Sequence, residues 1–387
     1  MSTIKQLKLQ PLQLGKLNIA VPVVLAPMAG VTNKAFRRLC RQYGGGLYVT
    51  EMVTARSLVE RRPESLRIIE HDRDESIRSV QIYGVDALNL AKAIRLITEE
   101  DRADHIDLNF GCPAPKVTRL GGGAALPWKI DLFTALVKTA VREAERNQIP
   151  VTIKMRMGID QEHLTYLEAA KIARDHGVAA IALHARTAAQ HYSGKADWQA
   201  IARLRQEIPD LPILGNGDIF SAEDAISMVE ETGVDGIVVG RGCQGRPWLF
   251  GDLQQAFQGS EQRYRPSLAQ VAETIYRHAE LLVETFSDET KGLQEIRKHI
   301  PWYFHGYPVG GQLRQKMATV VDLDSFRSYL AELDLSQGYP GAAAEGPRGR
   351  AGSPKKPHLP HGWLESRTLA EAEKSRLAAA ELDISGG

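Results

Sequence analysis

Short apolar runs rich in β-branched residues recur along residues 23–242, each followed by a polar or amphipathic stretch. They cover 23–28, 46–51, 79–84, 105–109, 151–156, 180–184, 212–216 and 236–240. Runs of this length next to Gly, Pro, Asn or Asp read as strands. Between them, 34–43, 88–99, 132–147, 166–176 and 222–232 place apolar residues at helical spacing, and Gly44, Gly177 and Gly233 stand where helices commonly stop. Strands alternating with helices predict parallel βα units. Eight such units in roughly 220 residues match the size of a (β/α)8 TIM barrel. An open doubly wound sheet is the rival arrangement, and the near-regular repetition favours closure.

Beyond residue 245 the pattern changes. No good strand appears from 246 to 335, whereas 268–286, 290–303, 311–320 and 324–333 carry Leu, Ile, Val and Phe at helical spacing. The expected organisation is an α/β barrel over 1–245 followed by a small C-terminal helical domain over 246–335. The remainder, 336–387, is rich in Gly, Pro, Ala, Lys and Arg up to residue 360. It is expected to be a disordered extension, with one short helix suggested over 364–382.

Composition narrows the class only modestly. With 387 residues and 43% hydrophobic content the chain can bury a barrel core and a smaller second one. A net charge of +1 neither points to nor excludes nucleic acid, because a basic patch can sit inside a neutral total. Three cysteines make no disulfide framework and fit a reducing cytoplasm. The first residues lack a signal-peptide core, and no run approaches the roughly 18–20 apolar residues of a membrane span. A cytoplasmic protein away from membranes is expected. The oligomeric state is not legible, and a monomer is the expectation.

The chemistry lies at the strand ends, where a barrel of this kind carries its active site. The runs end on Pro27-Met28-Ala29, Glu51, Gln81, Asn109 with Cys112 beyond, Lys154 with Arg156, His184 with Arg186, Asn216-Gly217-Asp218 and Gly240-Arg241. A purely structural barrel has no need of so many polar endings. The last two are glycine-punctuated turns after strands seven and eight, a frequent phosphate site, and Arg241 would add charge-assisted bonds. Lys154, in a β-rich run, needs an anion or an electron-rich ring if it points inward, and faces solvent otherwise. Gln81 could meet an amide-like ring edge or be satisfied by backbone. His184 reads equally as a ligand contact or a packed core histidine. Cys112, between Gly111 and Pro113, starts what reads as a mobile loop. Its thiol could be a nucleophile, a metal ligand or a proton donor. No partner stands at zinc spacing and no Cys-His or Ser-His-Asp arrangement is apparent, so no metal is expected.

These motifs, in this order, resemble the tRNA-dihydrouridine synthases, and the bacterial B-type group in particular. The resemblance rests on Ala26-Pro27-Met28-Ala29-Gly30-Val31-Thr32, Val80-Gln81-Ile82, Asp107-Leu108-Asn109-Phe110-Gly111-Cys112-Pro113, Lys154-Met155-Arg156, Leu183-His184-Ala185-Arg186-Thr187, Gly215-Asn216-Gly217-Asp218-Ile219, Gly240-Arg241-Gly242 and Arg297-Lys298-His299, and spans roughly residues 15–335. It implies an FMN enzyme, reduced by NADPH, that delivers hydride from the flavin N5 to C6 of a uridine in tRNA. Cys112 would protonate C5. It further implies FMN contacts at Pro27, Met28, Ala29, Gln81, Lys154, His184, Asn216, Gly217, Asp218, Gly240 and Arg241. Asn109 and Arg186 would be ring or substrate contacts, and the helical domain would grip tRNA through Arg297 and Lys298 on a basic face with Lys291, His299, Arg314 and Lys316, beside Trp302 and Tyr303. Without the resemblance, that charge run reads as a solvated helix face. Two positions depart from the common pattern, Pro115 and Cys243. An FMN barrel oxidoreductase acting on a free pyrimidine or similar small molecule is the competing reading.

Overall fold

The computed structural model describes residues 9–349, 351–370, Glu373 and Leu377. An antiparallel hairpin, β1 (Leu12–Leu14) and β2 (Leu17–Ile19), precedes eight parallel strands. These are β3 (Val23–Leu25), β4 (Leu47–Thr54), β5 (Ser79–Tyr83), β6 (His105–Phe110), β7 (Val151–Arg156), β8 (Ala180–His184), β9 (Ile213–Asn216) and β10 (Gly236–Val239). Each pairs with the next, and β10 pairs with both β9 and β3, so the sheet is closed and the open arrangement is excluded. The helices close to their expected bounds include Ala222–Thr232, started by a Ser221/Asp224 capping box and stopped by Gly233 in the left-handed region. Trp198–Glu207 is a helix that the apolar spacing did not suggest.

Strand alternation divides the barrel wall. On β6, Ile106, Leu108 and Phe110 pack outward under the helices, leaving His105, Asp107 and Asn109 inside. On β7, Ile153 and Met155 face out while Thr152 and Lys154 face in. The floor is apolar: Val24, Leu47, Ala180, Leu214 and Val238 pack against Leu12, Leu14 and Ile19 of the hairpin, which closes the N-terminal end. The hairpin was not anticipated, although Leu12/Leu14 and Leu17/Ile19 alternate around Gly15 as a short hairpin would.

The helical layer comprises Leu268–Phe286, Glu289–Arg297, Ile300–Tyr303, Gly311–Met317 and Leu323–Ala331 around a core of Val271, Ile275, Leu282, Phe304 and Phe326. The helix expected over 290–303 is broken, because Pro301 can open a helix but cannot continue one. The boundary at 245/246 also moves: in the helix Leu249–Phe257, Leu249, Phe250, Leu253 and Phe257 join the barrel core.

The extension corrects its expectation more sharply. Some of its described residues lie against the two domains, with 3-10 turns at Gly341–Ala344 and Trp363–Glu365, and Ala344, Arg348 and Trp363 are buried. Composition counts the apolar density of a segment; it does not see a single tryptophan fitting a slot that other elements provide. The short helix expected over 364–382 falls mostly outside the described residues.

Candidate functional site

The inward side chains of β5, β6 and β7 form a hydrogen-bonded column that rises to the C-terminal mouth. His105 pairs with Ser79 at 2.7 Å and with Thr152 at 3.0 Å, and Thr152 donates to Asp107 at 2.5 Å. Gln81 Nε2 donates to Asp107 Oδ2 at 2.7 Å, and Asn109 Nδ2 donates to Gln81 Oε1 at 2.8 Å. At the top, Asn109 Oδ1 accepts the backbone N–H of Gly111 and of Cys112, at 3.1 and 3.0 Å. The column therefore holds the turn that presents Cys112. Arg156 adds a clamp from β7, donating to Gly111 O at 3.0 Å and to the carbonyls of Thr187 and His191.

Two adjoining cavities open at this mouth. The larger, about 560 Å³, is lined by Cys112, Asn109, Met28 and Arg156, with Trp302 and Arg348 also on its wall. The smaller, about 70 Å³, lies over the ends of β9 and β10, with Asn216, Gly217, Asp218, Gly240 and Arg241 on its wall. Lys154, His184, Tyr192 and Arg241 border both. Lys154 donates to Asn216 Oδ1 at 3.0 Å. Gly217 has φ +129°, and a Cβ there would lie 2.7 Å from that of Ala196, so the turn admits only glycine without rearrangement. Asp218, at φ +54°, ties the turn down by accepting from Arg186 at 2.8 Å, from the Ala196 N–H at 2.8 Å and from Arg241 at 3.3 Å. The Arg241 guanidinium also lies 4.3 Å over the Tyr192 ring.

Burial sets the protonation states. It lowers Lys154 to about 8, with the Arg156 charge adding to the effect and Asp107 opposing it. It lowers Arg156 to about 10, and it holds His184 well below the imidazole range, so that ring is neutral. It raises Asp107 to about 6 against the hydrogen bonds of Thr152 and Gln81. The Cys112 thiol is raised by burial more than the Ala114 N–H, Arg156, Lys116 and Lys154 lower it, so it stands protonated at neutral pH. Among the described residues lining the two cavities, Lys154, Arg156, Arg241 and Arg348 are cations and Asp218 is the one carboxylate. A buried excess of positive charge suits a bound anion.

Comparison with known proteins settles the kinship. The sequence model of the family described as "Dihydrouridine synthase (Dus)" matches residues 24–337. A "Probable tRNA-dihydrouridine synthase" of Mycobacterium tuberculosis is 53% identical over 360 residues, covering 91% of this chain and 92% of that protein. The "tRNA-dihydrouridine synthase B" of Xanthomonas campestris is 39% identical over 303 residues, covering 78% and 90%. The chain belongs to the dihydrouridine synthase family. Among solved structures, a 2-naphthoyl-CoA reductase complex aligns with a TM-score of 0.51 at 12% identity. The alignment takes in 65% of this chain and 52% of that one, and it supports the barrel fold alone.

Within this dihydrouridine synthase, the expected site residues divide into two groups. Pro27, Met28, Ala29, Asn109, Cys112, Lys154, His184, Asn216, Gly217, Asp218, Gly240 and Arg241 share the paired cavities. Gln81 and Arg186 do not line them. Gln81 is fully buried beneath Asn109, and Arg186 is 1% exposed, donating to Ser193 O, Gly194 O and Asp218. Most of the residues expected to form a basic face on the helical domain have local partners. Arg297 donates to Val320 O and Thr319 O, and Arg314 to Phe304 O and Tyr307 O. Lys298 pairs with Glu295 and Lys316 with Glu332, while His299 and Tyr303 are core. Lys291 stays exposed, and Trp302 reaches the larger cavity. Arg156 was named at the end of its strand without a role, and Asp107 and Tyr192 were missed as site residues. Alternation along β6 and β7 was a signal for the first two; Tyr192 lies in a loop and carried none. Among the described residues no helix is long and apolar enough to cross a membrane, and no group of three or more His, Cys, Asp or Glu is placed to hold a metal ion.

Proposed function

We propose that this protein reduces uridines of tRNA to 5,6-dihydrouridine in the cytoplasm, with FMN as its cofactor and NADPH as reductant. The observation that carries the reading is a protonated thiol, Cys112, held at the edge of a cavity whose other wall is built for an anion. The names of the M. tuberculosis and X. campestris relatives support the substrate.

The residues present fit FMN. Backbone at Gly217, Asp218 and Gly240, with the Arg241 guanidinium, offers donors for a phosphate at the smaller cavity. Lys154 stands where a cation would compensate negative charge on the ring system, and Pro27, Met28 and Ala29 give an apolar wall. The flavin, when bound, supplies the hydride for C6 of the base. The chain does the rest. Cys112 gives its thiol proton to C5; its raised pKa keeps that proton in place at neutral pH until the base needs it. Asn109, aligned by Gln81 and Asp107, holds the Cys112 backbone in register. Trp302 offers a stacking surface for a base turned out of the RNA stack.

The test is nucleoside chromatography of tRNA from a deletion strain, together with purified protein acting on that tRNA. Loss of dihydrouridine at defined positions, restored by the protein, is expected. Undiminished dihydrouridine in a strain without any other synthase refutes the assignment. Equal rates on free uridine and tRNA would move it to a small-molecule reductase.

A further inference from the structure

The match to the family's sequence model ends at residue 337. The segment beyond it turns back across the barrel mouth: Gly349 reaches the wall of the larger cavity and the Lys355 N–H donates to Ala189 O at 2.9 Å. It then meets the loop between Cys112 and Trp128. The Trp363 ring, 2% exposed, lies on Gly121, where a Cβ would come within 2.5 Å of the ring. Its Nε1 donates to Ala125 O at 3.0 Å. The neighbouring Ala124 N–H donates to Cys112 O at 3.0 Å. One tryptophan is thus two residues of backbone away from the turn that carries the thiol.

The contact continues as a built joint. Ile130 N–H donates to Arg367 O at 2.8 Å. Lys129, fully buried, donates to Ser366 O and Thr368 O at 3.0 and 3.3 Å. A buried ammonium is costly without acceptors, and here the extension supplies them.

We propose that Trp363 is a positioning residue for the reaction, fixing the loop after Cys112 so that the thiol keeps its place at the cavity edge. The inference rests on the reading of Cys112 as proton donor, and its test separates the two. Trp363→Ala and Trp363→Phe are made in the full chain, with circular dichroism to check the fold. Alkylation by iodoacetamide reports Cys112, since Cys40 and Cys243 are fully buried. Hydrogen exchange is followed over residues 121–128. Trp363→Ala should speed both by roughly tenfold or more, and lower kcat on tRNA on the order of 100-fold with KM within about twofold. Trp363→Phe, keeping the ring contact but not the donor, should recover part of each. Unchanged alkylation and exchange in a folded Trp363→Ala protein overturn the proposal. Should that variant fail to fold, unchanged exchange over 121–128 in Trp363→Phe overturns it equally. A wild-type protein that reduces no tRNA refutes the functional reading, while exchange and alkylation still judge the loop.

Discussion

Replacing Lys154 with Met removes the cation at the junction of the two cavities and leaves its volume nearly intact. Burial and Arg156 lower this lysine from 10.5 to about 8. The charged form is therefore disfavoured there by roughly 3 kcal/mol relative to water. An anionic ligand reverses that balance and draws Lys154 back toward full protonation. FMN binding is affected in two ways. Below about pH 8 the lysine is charged with or without ligand, and affinity should not vary with pH. Above it the apoprotein has lost the proton and binding must recover one, so affinity should fall by up to about tenfold per pH step. Lys154→Met should bind roughly 10- to 100-fold more weakly and show no such slope. Quenching of FMN fluorescence by apoprotein, from pH about 7 to about 9.5, reads both. That window lies above Asp107 at about 6; Arg348, lowered to about 9 by burial, titrates within it in both proteins, so the difference between the two profiles reports Lys154. A flat wild-type profile, or the same slope in Lys154→Met, would refute the placement of an anion beside Lys154.

Cys112→Ala should retain FMN and oxidise NADPH, yet reduce tRNA uridine about 10²- to 10⁴-fold more slowly; turnover at the wild-type rate removes Cys112 from the mechanism. Because burial keeps the thiol protonated, the wild-type rate of base reduction should be level through neutral pH and decline only above the ordinary thiol range. Asp218→Asn keeps a residue that tolerates φ +54° but leaves Arg186 buried without its carboxylate. The expected loss is about 3 kcal/mol of stability, visible as a lowered Tm, and an unchanged Tm contradicts it. In the helical domain, His278 is lowered to about 3 and His299 well below its ordinary value, both by burial. Their folded values lie below the unfolded one, so the unfolded chain takes the proton first. Stability is full above about 6.5 and is lost as pH falls toward the folded values, by up to about 1.4 kcal/mol per pH step and group. Neither His299 nitrogen has a hydrogen-bond partner, so His299→Leu should flatten that slope in denaturant titrations at about pH 5 and 7; parallel slopes would show that His299 plays no part.

The barrel was legible because its signal repeats. Eight apolar runs with helical stretches between them leave little freedom, and the glycine turns after β9 and β10 pointed to the smaller cavity. What escaped depended on partners distant in sequence. Gln81 ends its strand as the ring contacts do, but Asp107 and Asn109 draw its amide into the column. Arg297 and Arg314 also serve loop carbonyls, which their spacing along the chain does not announce. Trp363 sits in a stretch with no period at all, and the slot that receives it, at Gly121 and Ala125, lies 242 and 238 positions earlier.

The hairpin that seals the floor bears on the order of events. With Leu12, Leu14 and Ile19 filling the N-terminal end, whatever reaches Lys154 or Cys112 must come through the opposite opening. Under the proposed chemistry, the electron source and the nucleic acid then share one doorway. Under that reading they use it in turn, and between the two visits the bound flavin would hold the reducing equivalents.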